Sequence, residues 1–139
     1  MIKISAVPPD MLDNYWEKAL PLFSKAFKYC SHKVYPSDVY DDIQKGDQTL
    51  WIVFEDLPSN LIGSFTIRVK SYPAGVSLCG EHLGGERLEE WADKLFEIME
   101  MYAKDLGIKN LELIGRRGWE KILSPKGWSS KLVMFEKEI

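Results

Sequence analysis

The amino-acid sequence predicts an α+β fold in which a mixed, mostly antiparallel sheet carries helices on both faces. Leu78–Ile114 has the pattern of a strand, a Gly84-Gly85 turn, a long helix and a second strand, which together form a βαβ unit. Two hairpin patterns precede this unit, and two amphipathic helix patterns lie nearer the N-terminus. A meander followed by one crossover gives a mixed sheet, with layers of helix on its faces.

The helix of the βαβ unit has the strongest periodicity in the sequence and is predicted over Glu86–Leu106. Its apolar positions are Leu88, Trp91, Leu95, Ile98 and Tyr102, with Ala92, Met99 and Leu106 beside them. These residues recur at three- and four-residue steps and the opposite face is charged, so one face is expected to be buried. Gly107 supplies a left-handed end, and a strand over Ile108–Ile114 follows.

The N-terminal part begins with a short strand, Ile2–Ala6, which two prolines end. A helix capped by Asp10 follows, and Pro21 in its interior predicts either a kink or two shorter helices. A second helix of about two turns is predicted to be capped by Ser37 and to stop at Gly46.

The middle of the chain supplies the antiparallel strands. Thr49–Glu55 is apolar on both faces, so Leu50–Phe54 is expected to be central in the sheet and covered from both sides. Between residues 65 and 70, apolar and polar side chains alternate, which predicts one buried face. A turn over Tyr72–Gly75 leads into a strand over Val76–Leu83.

The C-terminal part is predicted to hold a short helix and a closing strand. Gly115–Leu123 has the pattern of the helix, which Pro125 and Gly127 end, and Ser130–Ile139 has the pattern of the strand. The sequence shows no internal repeat and no linker, so residues 1–139 are predicted to form a single domain.

Composition limits the classes of function. The 139 residues are 45% hydrophobic and 12% aromatic, which suits a buried core. Eighteen basic and twenty-one acidic residues give a net charge of -3, so no global field attracts nucleic acid or an anionic membrane. No apolar run has the length of a signal peptide or a membrane span, and we expect a soluble, cytoplasmic protein without a membrane partner. Cys30 and Cys79 are expected to be reduced thiols.

The predicted element order resembles that of the GNAT superfamily of N-acetyltransferases, and the resemblance extends to residues near the C-terminus. Ile114–Trp128 is similar to the closing segment of that family, in which a short helix runs into a glycine and an aromatic residue. The Gly-Arg-Arg-Gly-Trp form of positions 115–119 looks like phage-encoded members. The similarity in element order covers nearly the whole chain and implies a GNAT-like fold.

In GNAT enzymes, the strand before the long helix and the turn after it bind acetyl-CoA, so the resemblance implies this cofactor. Strand backbone pairs with the pantetheine, and amides at the helix start bind the pyrophosphate. The corresponding residues here are Leu78, Cys79, Gly80, Gly84 and Gly85. We expect the strands to diverge in a V-shaped gap between Leu78–Gly80 and Leu111–Leu113.

The sequence departs from the family pattern in two places. The loop Glu81–Glu86 keeps the first glycine but has acids at both ends, and these repel a pyrophosphate. In the closing helix, the family often has an asparagine, an alanine and a tyrosine that protonates the departing thiolate. Those positions hold Arg116, Trp119 and Leu123, so the usual acid is absent.

Candidate catalytic residues are few. Glu81 and His82 lie where the strand meets the loop and could act as general base, although a solvated turn acid and a partly buried histidine are the favoured explanation. Ser124 is the nearest hydroxyl to the position of the missing acid, but a serine before proline commonly ends a helix. Cys30–His32 and a second Cys-His pair carry zinc-ligand types at poor spacing, so no metal site is predicted.

A basic cluster formed by Arg116, Arg117 and Lys121 lies at the start of the predicted short helix, where it opposes the helix dipole. A phosphate, an acidic protein patch or a nucleic-acid backbone would each favour such a cluster. Arg116 and Arg117 are therefore candidate cofactor-binding residues. A solvated basic face explains the cluster equally well.

Two classes of function follow. The departures favour a non-catalytic or weakly active GNAT-like protein, phage-encoded, that serves as a structural, assembly or interaction module with a protein partner. Such a protein would lie in the host cytoplasm or in the virion. The alternative is an acetyl-CoA-dependent N-acetyltransferase that acts on a small amine or on a protein lysine or N-terminus.

Overall fold

A computed structural model describes residues 1–29 and 33–139 and contains five strands and four α-helices in that part of the chain. The strands are β1 (Ile2–Val7), β2 (Thr49–Glu55), β3 (Leu61–Tyr72), β4 (Gly75–Gly85) and β5 (Asn110–Leu113). The helices are α1 (Leu12–Tyr29), α2 (Pro36–Lys45), α3 (Leu88–Asp105) and α4 (Glu120–Leu123). Short 3-10 turns cover Pro9–Met11, Arg117–Trp119 and Ser124–Lys126. The α+β class is confirmed.

The strands lie in the sheet in sequence order, β1-β2-β3-β4-β5. The first three pairings are antiparallel and the last, between β4 and β5, is parallel. The sheet is therefore mixed and mostly antiparallel, as expected. β2 is an interior strand with Leu50 and Val53 fully buried on its two faces, while β3 is the middle strand.

Two apolar clusters cover the two faces of the sheet. One lies between the sheet and α3, where the rings of Trp51, Phe65 and Trp91 stack at centroid distances of 6.0 and 6.3 Å. The other lies between the sheet and the pair α1 and α2. The buried stripe of α3 differs slightly from the predicted one, because Phe96 is buried and Leu106 is half exposed.

The starts of the first two helices differ from the predictions. Asp10 lies inside a 3-10 turn and does not cap α1, which continues through Pro21 as one helix. The cap of α2 is Tyr35 and not Ser37, because the Tyr35 N–H donates to the Asp38 carboxylate at 2.8 Å and a proline takes the first helical position.

The C-terminal part also differs. The short helix is divided into two 3-10 turns around α4, and residues 130–139 are exposed and form no strand, so the prediction of a closing strand is wrong. Lys33 pairs with Glu136 and contacts the Met134 sulfur, which holds the last residues toward the α1–α2 connection. None of the helices in the described residues has the length and hydropathy of a membrane span.

Candidate functional site

The resemblance places the cofactor site between β4 and β5, but these strands pair at the residues named for the gap. Leu78, Cys79 and Gly80 face Leu111, Glu112 and Leu113 in parallel register. The Ile114 N–H also donates to the Gly80 carbonyl, at 3.1 Å. The expected gap between Leu78–Gly80 and Leu111–Leu113 is therefore wrong, since these two stretches pair with each other and Leu78–Gly80 also pairs with β3.

The two strands separate one step later. β5 ends at Leu113, whereas β4 continues for five residues beside β3, with Ser64 opposite Gly84. An irregularity in the β3–β4 ladder lies in this stretch, and His82 has a positive φ of 52°. The open edge of β4 therefore begins at Glu81.

Gly84 and Gly85 belong to the sheet and do not form a turn. A Cβ atom on Gly84 would lie 1.7 Å from the backbone carbonyl oxygen of Leu22 in α1. A Cβ on Gly85 would lie 2.4 Å from the Ile62 carbonyl oxygen, and this glycine has a φ of 138°. The two glycines are thus required by the close approach of α1 and β3, and their prediction as a phosphate-binding turn loses its geometric basis.

The N-terminus of α3 is enclosed by the chain's own acids and one arginine. Arg87 is the N-cap, with a φ of 57°, and its guanidinium pairs with Glu90 at 2.5 Å and with Glu55 at 2.8 Å. These hydrogen bonds raise the pKa of Arg87 and lower the pKa values of both carboxyl groups. Glu86 and Glu89 add two more acids next to the first turn. A pyrophosphate would meet negative charge here and an arginine that is already paired.

Glu81 lies on the sheet face that α1 and α2 cover, with its side chain 13% exposed. One carboxylate oxygen lies 3.0 Å from the Lys70 amine, and the other lies 3.3 Å from the Arg68 Nε. Burial is the largest single influence on Lys70 and opposes its charge, but the hydrogen bond to Glu81 and the nearby negative charges together raise the pKa of Lys70. A substrate amine would therefore have to compete with Lys70 and Arg68 for the Glu81 carboxylate.

His82 is brought next to Glu81, with its Nε2 at 3.7 Å from a carboxylate oxygen. Its ring packs against Phe27 and Phe23 of α1, at centroid distances of 5.3 and 6.5 Å. Burial lowers the pKa of His82 despite the opposing charge of Glu81. The imidazole is therefore neutral near pH 7 and mainly packs against α1.

The other predicted residues lie apart from this pair. Ser124 is exposed at the start of the last 3-10 turn, and its carbonyl accepts from Gly127. Burial raises the pKa of Cys79 to about 12, so its thiol is not nucleophilic near neutral pH. Arg116 and Arg117 lie at the start of the 3-10 turn before α4. That they bind a phosphate stays a prediction.

Trp119 occupies the position where the family resemblance expects a small alanine. It is 6% exposed and belongs to the apolar cluster on the α3 side of the sheet. A Cβ on Gly115 would lie 3.2 Å from its ring. The large ring therefore fills the space beside the end of β5 and is part of the apolar core there.

Sequence reasoning missed a polar cluster behind Glu81. Arg68 pairs with Asp42 at 3.2 Å, and Gln48 donates to the same carboxylate at 3.0 Å. Gln48 is 2% exposed, and its side-chain oxygen has no hydrogen-bond partner among the described residues. Arg68 and Lys70 alternate with apolar residues along β3, and this pattern suggested a solvated face. The available signal was Glu81 in the neighbouring strand β4, where it lies opposite Thr66.

No group of histidine, cysteine and acidic residues in the described ranges is arranged to hold a metal ion. Cys30–His32, the first half of the zinc-type set considered above, lies outside those ranges.

The donor set does not fit acetyl-CoA. The strand residues expected along the pantetheine are paired on both sides. Of the two glycines expected at the pyrophosphate, Gly84 is packed against α1 and Gly85 against β3. The first turn of α3 is surrounded by acids. No reaction step is therefore assigned to this cofactor.

No protein-family model and no curated protein matches the sequence. Solved structures do match. A GCN5-related N-acetyltransferase from Ralstonia eutropha has a TM-score of 0.74 at 13% identity, over 99% of both chains. An aminoglycoside acetyltransferase from an uncultured soil metagenomic sample has a TM-score of 0.72 at 12% identity, over 100% of this chain and 99% of the other. A predicted acetyltransferase from Clostridium acetobutylicum, solved with acetyl-CoA, has a TM-score of 0.70 at 10% identity, over 99% and 96%.

At these identities, the likeness shows the fold and does not carry the activity. This chain therefore has the fold of the GNAT N-acetyltransferases.

Proposed function

We propose that this chain is a GNAT-fold protein without acetyl-CoA chemistry that works as a non-catalytic interaction module. The observation that carries the proposal is the junction of β4 and α3. Gly84 and Gly85 pair with β3, and only two residues, Glu86 and Arg87, separate β4 from the start of α3 at Leu88. This junction provides no loop of free amides for a pyrophosphate.

Two further features support the proposal. The acids around the first turn of α3 already interact favourably with the helix dipole, so an anionic ligand would gain little binding free energy there. Glu81 is held between two cations, and His82 is packed between phenylalanine rings, so both behave as structural groups. A residue that has to leave an ion pair or a core before it can act makes a poor general base.

The Gly-Arg-Arg-Gly-Trp form of residues 115–119 supports a phage-encoded origin, with a structural or assembly role in the host cytoplasm or the virion. A protein partner suits this role best. The basic residues Arg116, Arg117 and Lys121 offer a second contact surface, for an acidic protein patch or a nucleic-acid backbone.

The alternative function is an N-acetyltransferase, and one observation favours it. Glu81 and His82 are adjacent at the point where β4 loses β5 as a neighbour. In that reading, closure around the cofactor would have to release Glu81 from Lys70, so that it could accept a proton from an amine.

Isothermal titration with acetyl-CoA and with CoA separates the two functions. We expect no heat of binding at ligand concentrations up to about 1 mM. A dissociation constant above about 1 mM corresponds to a binding free energy weaker than about -4 kcal/mol. A variant with Glu86→Gln and Glu89→Gln tests whether charge alone excludes the ligand. We expect no binding there either, since Gly84 stays packed against α1 and Gly85 against β3. Glu97→Gln is a matched control on the exposed face of α3. Micromolar binding by the wild type, with acetylation of an amine, would show that the chain is an enzyme.

A further inference from the structure

The hairpin formed by β3 and β4 extends past the start of β2. β2 begins at Thr49, which lies opposite Ile67, whereas β3 continues beside β4 as far as Tyr72. Successive residues of a strand direct their backbone groups alternately to its two sides, so part of the backbone of residues 68–72 points away from β4. Among the described residues, nothing else forms a hydrogen bond with those outward groups. Residues 68–72, here called the β3 edge, are therefore open to strand addition.

An open groove runs beside the β3 edge. It has a volume of about 260 Å³, and its walls include Gly46 and Asp47 of the α2–β2 turn. Thr49 at the start of β2 and Arg68 and Val69 of the β3 edge complete this part of the wall. Because the groove lies between the start of β2 and the β3 edge, it occupies the position that a longer β2 would fill.

The sheet face that α3 covers is exposed next to the β3 edge, because α3 ends at Asp105 and does not reach the tip of the hairpin. Val69 and Val76 are 47% and 41% exposed, and Leu106 is 50% exposed. These three residues and Ile108 line a second cavity of about 470 Å³, and Val69 borders both cavities. Exposed aliphatic side chains gathered around one cavity mark a contact surface.

The lysine of the β3 edge does not protect it. Edge strands commonly carry a lysine whose charge discourages pairing with another strand. The Lys70 amine instead lies 3.0 Å from the Glu81 carboxylate, and Arg68 pairs with Asp42 and Glu81. These two cations and two acids cancel each other. Asp47, exposed on the groove wall, then makes the local charge negative.

We infer that the β3 edge binds an extended segment of a partner protein by antiparallel strand addition. β3 already pairs in this sense with β2 and β4, and antiparallel pairs are the more stable kind. The segment runs in the direction of β2, so its C-terminal end reaches Asp47, where a lysine or arginine is favoured. On the face of Val69, alternate aliphatic or β-branched side chains are favoured.

This inference names a surface and a class of partner for the proposed interaction module, and it rests on that role. It does not depend on the absence of acetyl-CoA binding. The β3 edge lies at the hairpin turn where β4 begins, and the β4–α3 junction lies at the other end of β4.

A synthetic peptide, acetyl-Thr-Val-Thr-Val-Lys-amide, is the probe. Its valines suit the face of Val69 and its lysine suits Asp47. Titration followed by amide chemical shifts should show shifts in residues 68–72 and a dissociation constant below about 1 mM. The amides of the β3 edge that do not bond to β4 should exchange at least about tenfold more slowly with the peptide. The same peptide with N-methyl groups on its valines and threonines is the matched control, because it keeps the side chains but cannot donate to the edge, and it should not bind.

Variants of the chain locate the contact. Val69→Lys should weaken peptide binding at least about tenfold, because it places a charge on the apolar face at the edge. Val76→Lys is the control, since Val76 is exposed on the same face but belongs to β4, and binding should stay within about twofold. Asp47→Lys should prefer a peptide with glutamate in place of the lysine by about twofold to fivefold, the reverse of the wild type. Circular dichroism checks that each variant keeps the fold.

Four results would overturn the inference. They are the absence of any shift at about 2 mM peptide, equal binding of the N-methylated peptide, and unchanged binding by a folded Val69→Lys variant. The fourth is protection of the edge amides in the chain alone that grows with its concentration, which would show that a second copy fills the edge. Binding of acetyl-CoA by the wild type would overturn the proposed absence of acetyl-CoA chemistry alone, because the peptide titration reports on the other end of β4.

Discussion

Substitution of Gly84 by alanine tests the central structural claim about the candidate site. The new Cβ would lie 1.7 Å from the Leu22 carbonyl oxygen, and that oxygen belongs to the backbone of α1 and cannot rotate away. Relief requires α1 to move by more than about 1 Å, which separates Phe23 and Phe27 from the sheet. Overpacking costs about 1–3 kcal/mol where side chains can adjust, so we expect a loss near 3 kcal/mol or more here.

Urea unfolding followed by tryptophan fluorescence measures this loss. With a slope of about 2 kcal/mol/M, a loss of 3 kcal/mol lowers the midpoint by about 1.5 M. Gly118→Ala is the control, because nothing lies within 4 Å of a Cβ at that position, and its midpoint should change by less than about 0.5 M. If Gly84→Ala unfolds within about 0.3 M of the wild type, α1 does not rest on this glycine, and a role for Gly84 in ligand binding becomes open again.

Two further predictions concern the core and pH. Trp91→Ala should lower the free energy of unfolding by about 3–5 kcal/mol, because the ring is 1% exposed, stacks on Phe65 and donates a hydrogen bond to the Glu86 carbonyl at 2.9 Å. A loss below about 1 kcal/mol in urea unfolding would contradict the assigned orientation of α3. The folded-state pKa of His82 lies below its unfolded value, so the unfolded chain binds the proton more readily. The free energy of unfolding should therefore fall as the pH is lowered from about 7 toward 5, by at most about 1.4 kcal/mol per pH unit. Urea midpoints measured across this range should lose part of that slope in His82→Gln, and an unchanged slope would assign it to other groups.

The sequence predicted those parts of the fold that depend on local pattern. The periodicity of α3 identified Trp91 and Leu95 as buried, and the apolar run of β2 identified an interior strand, because both signals repeat within one element. Gly84 and Gly85 were interpreted as a turn, since paired glycines before a helix usually form one. Gly84 contacts α1 and Gly85 contacts β3, and no local pattern reports contacts between residues so distant in sequence.

The candidate site shows the same division. Glu81 and His82 could be named from their position at the end of a strand. The ion pairs of Glu81 with Arg68 and Lys70 depend on the register of β3 against β4, which includes an irregularity that the sequence does not mark. The closing strand over Ser130–Ile139 failed for a related reason, because a local apolar pattern does not report whether the segment pairs with another strand.

The sequential order of the strands has a consequence for how this chain folds. β3 and β4 are joined by two residues, whereas residues 8–48, a stretch of 41, separate β1 from β2. Loop-closure entropy makes the longer connection costlier by roughly 2.5–3 kcal/mol. In the folding transition state, the β3–β4 hairpin is therefore expected to be the most ordered part, and substitutions in β1 should have φ-values near zero. The N-terminal edge of the sheet would then be the last part to join during folding and the first to separate during unfolding.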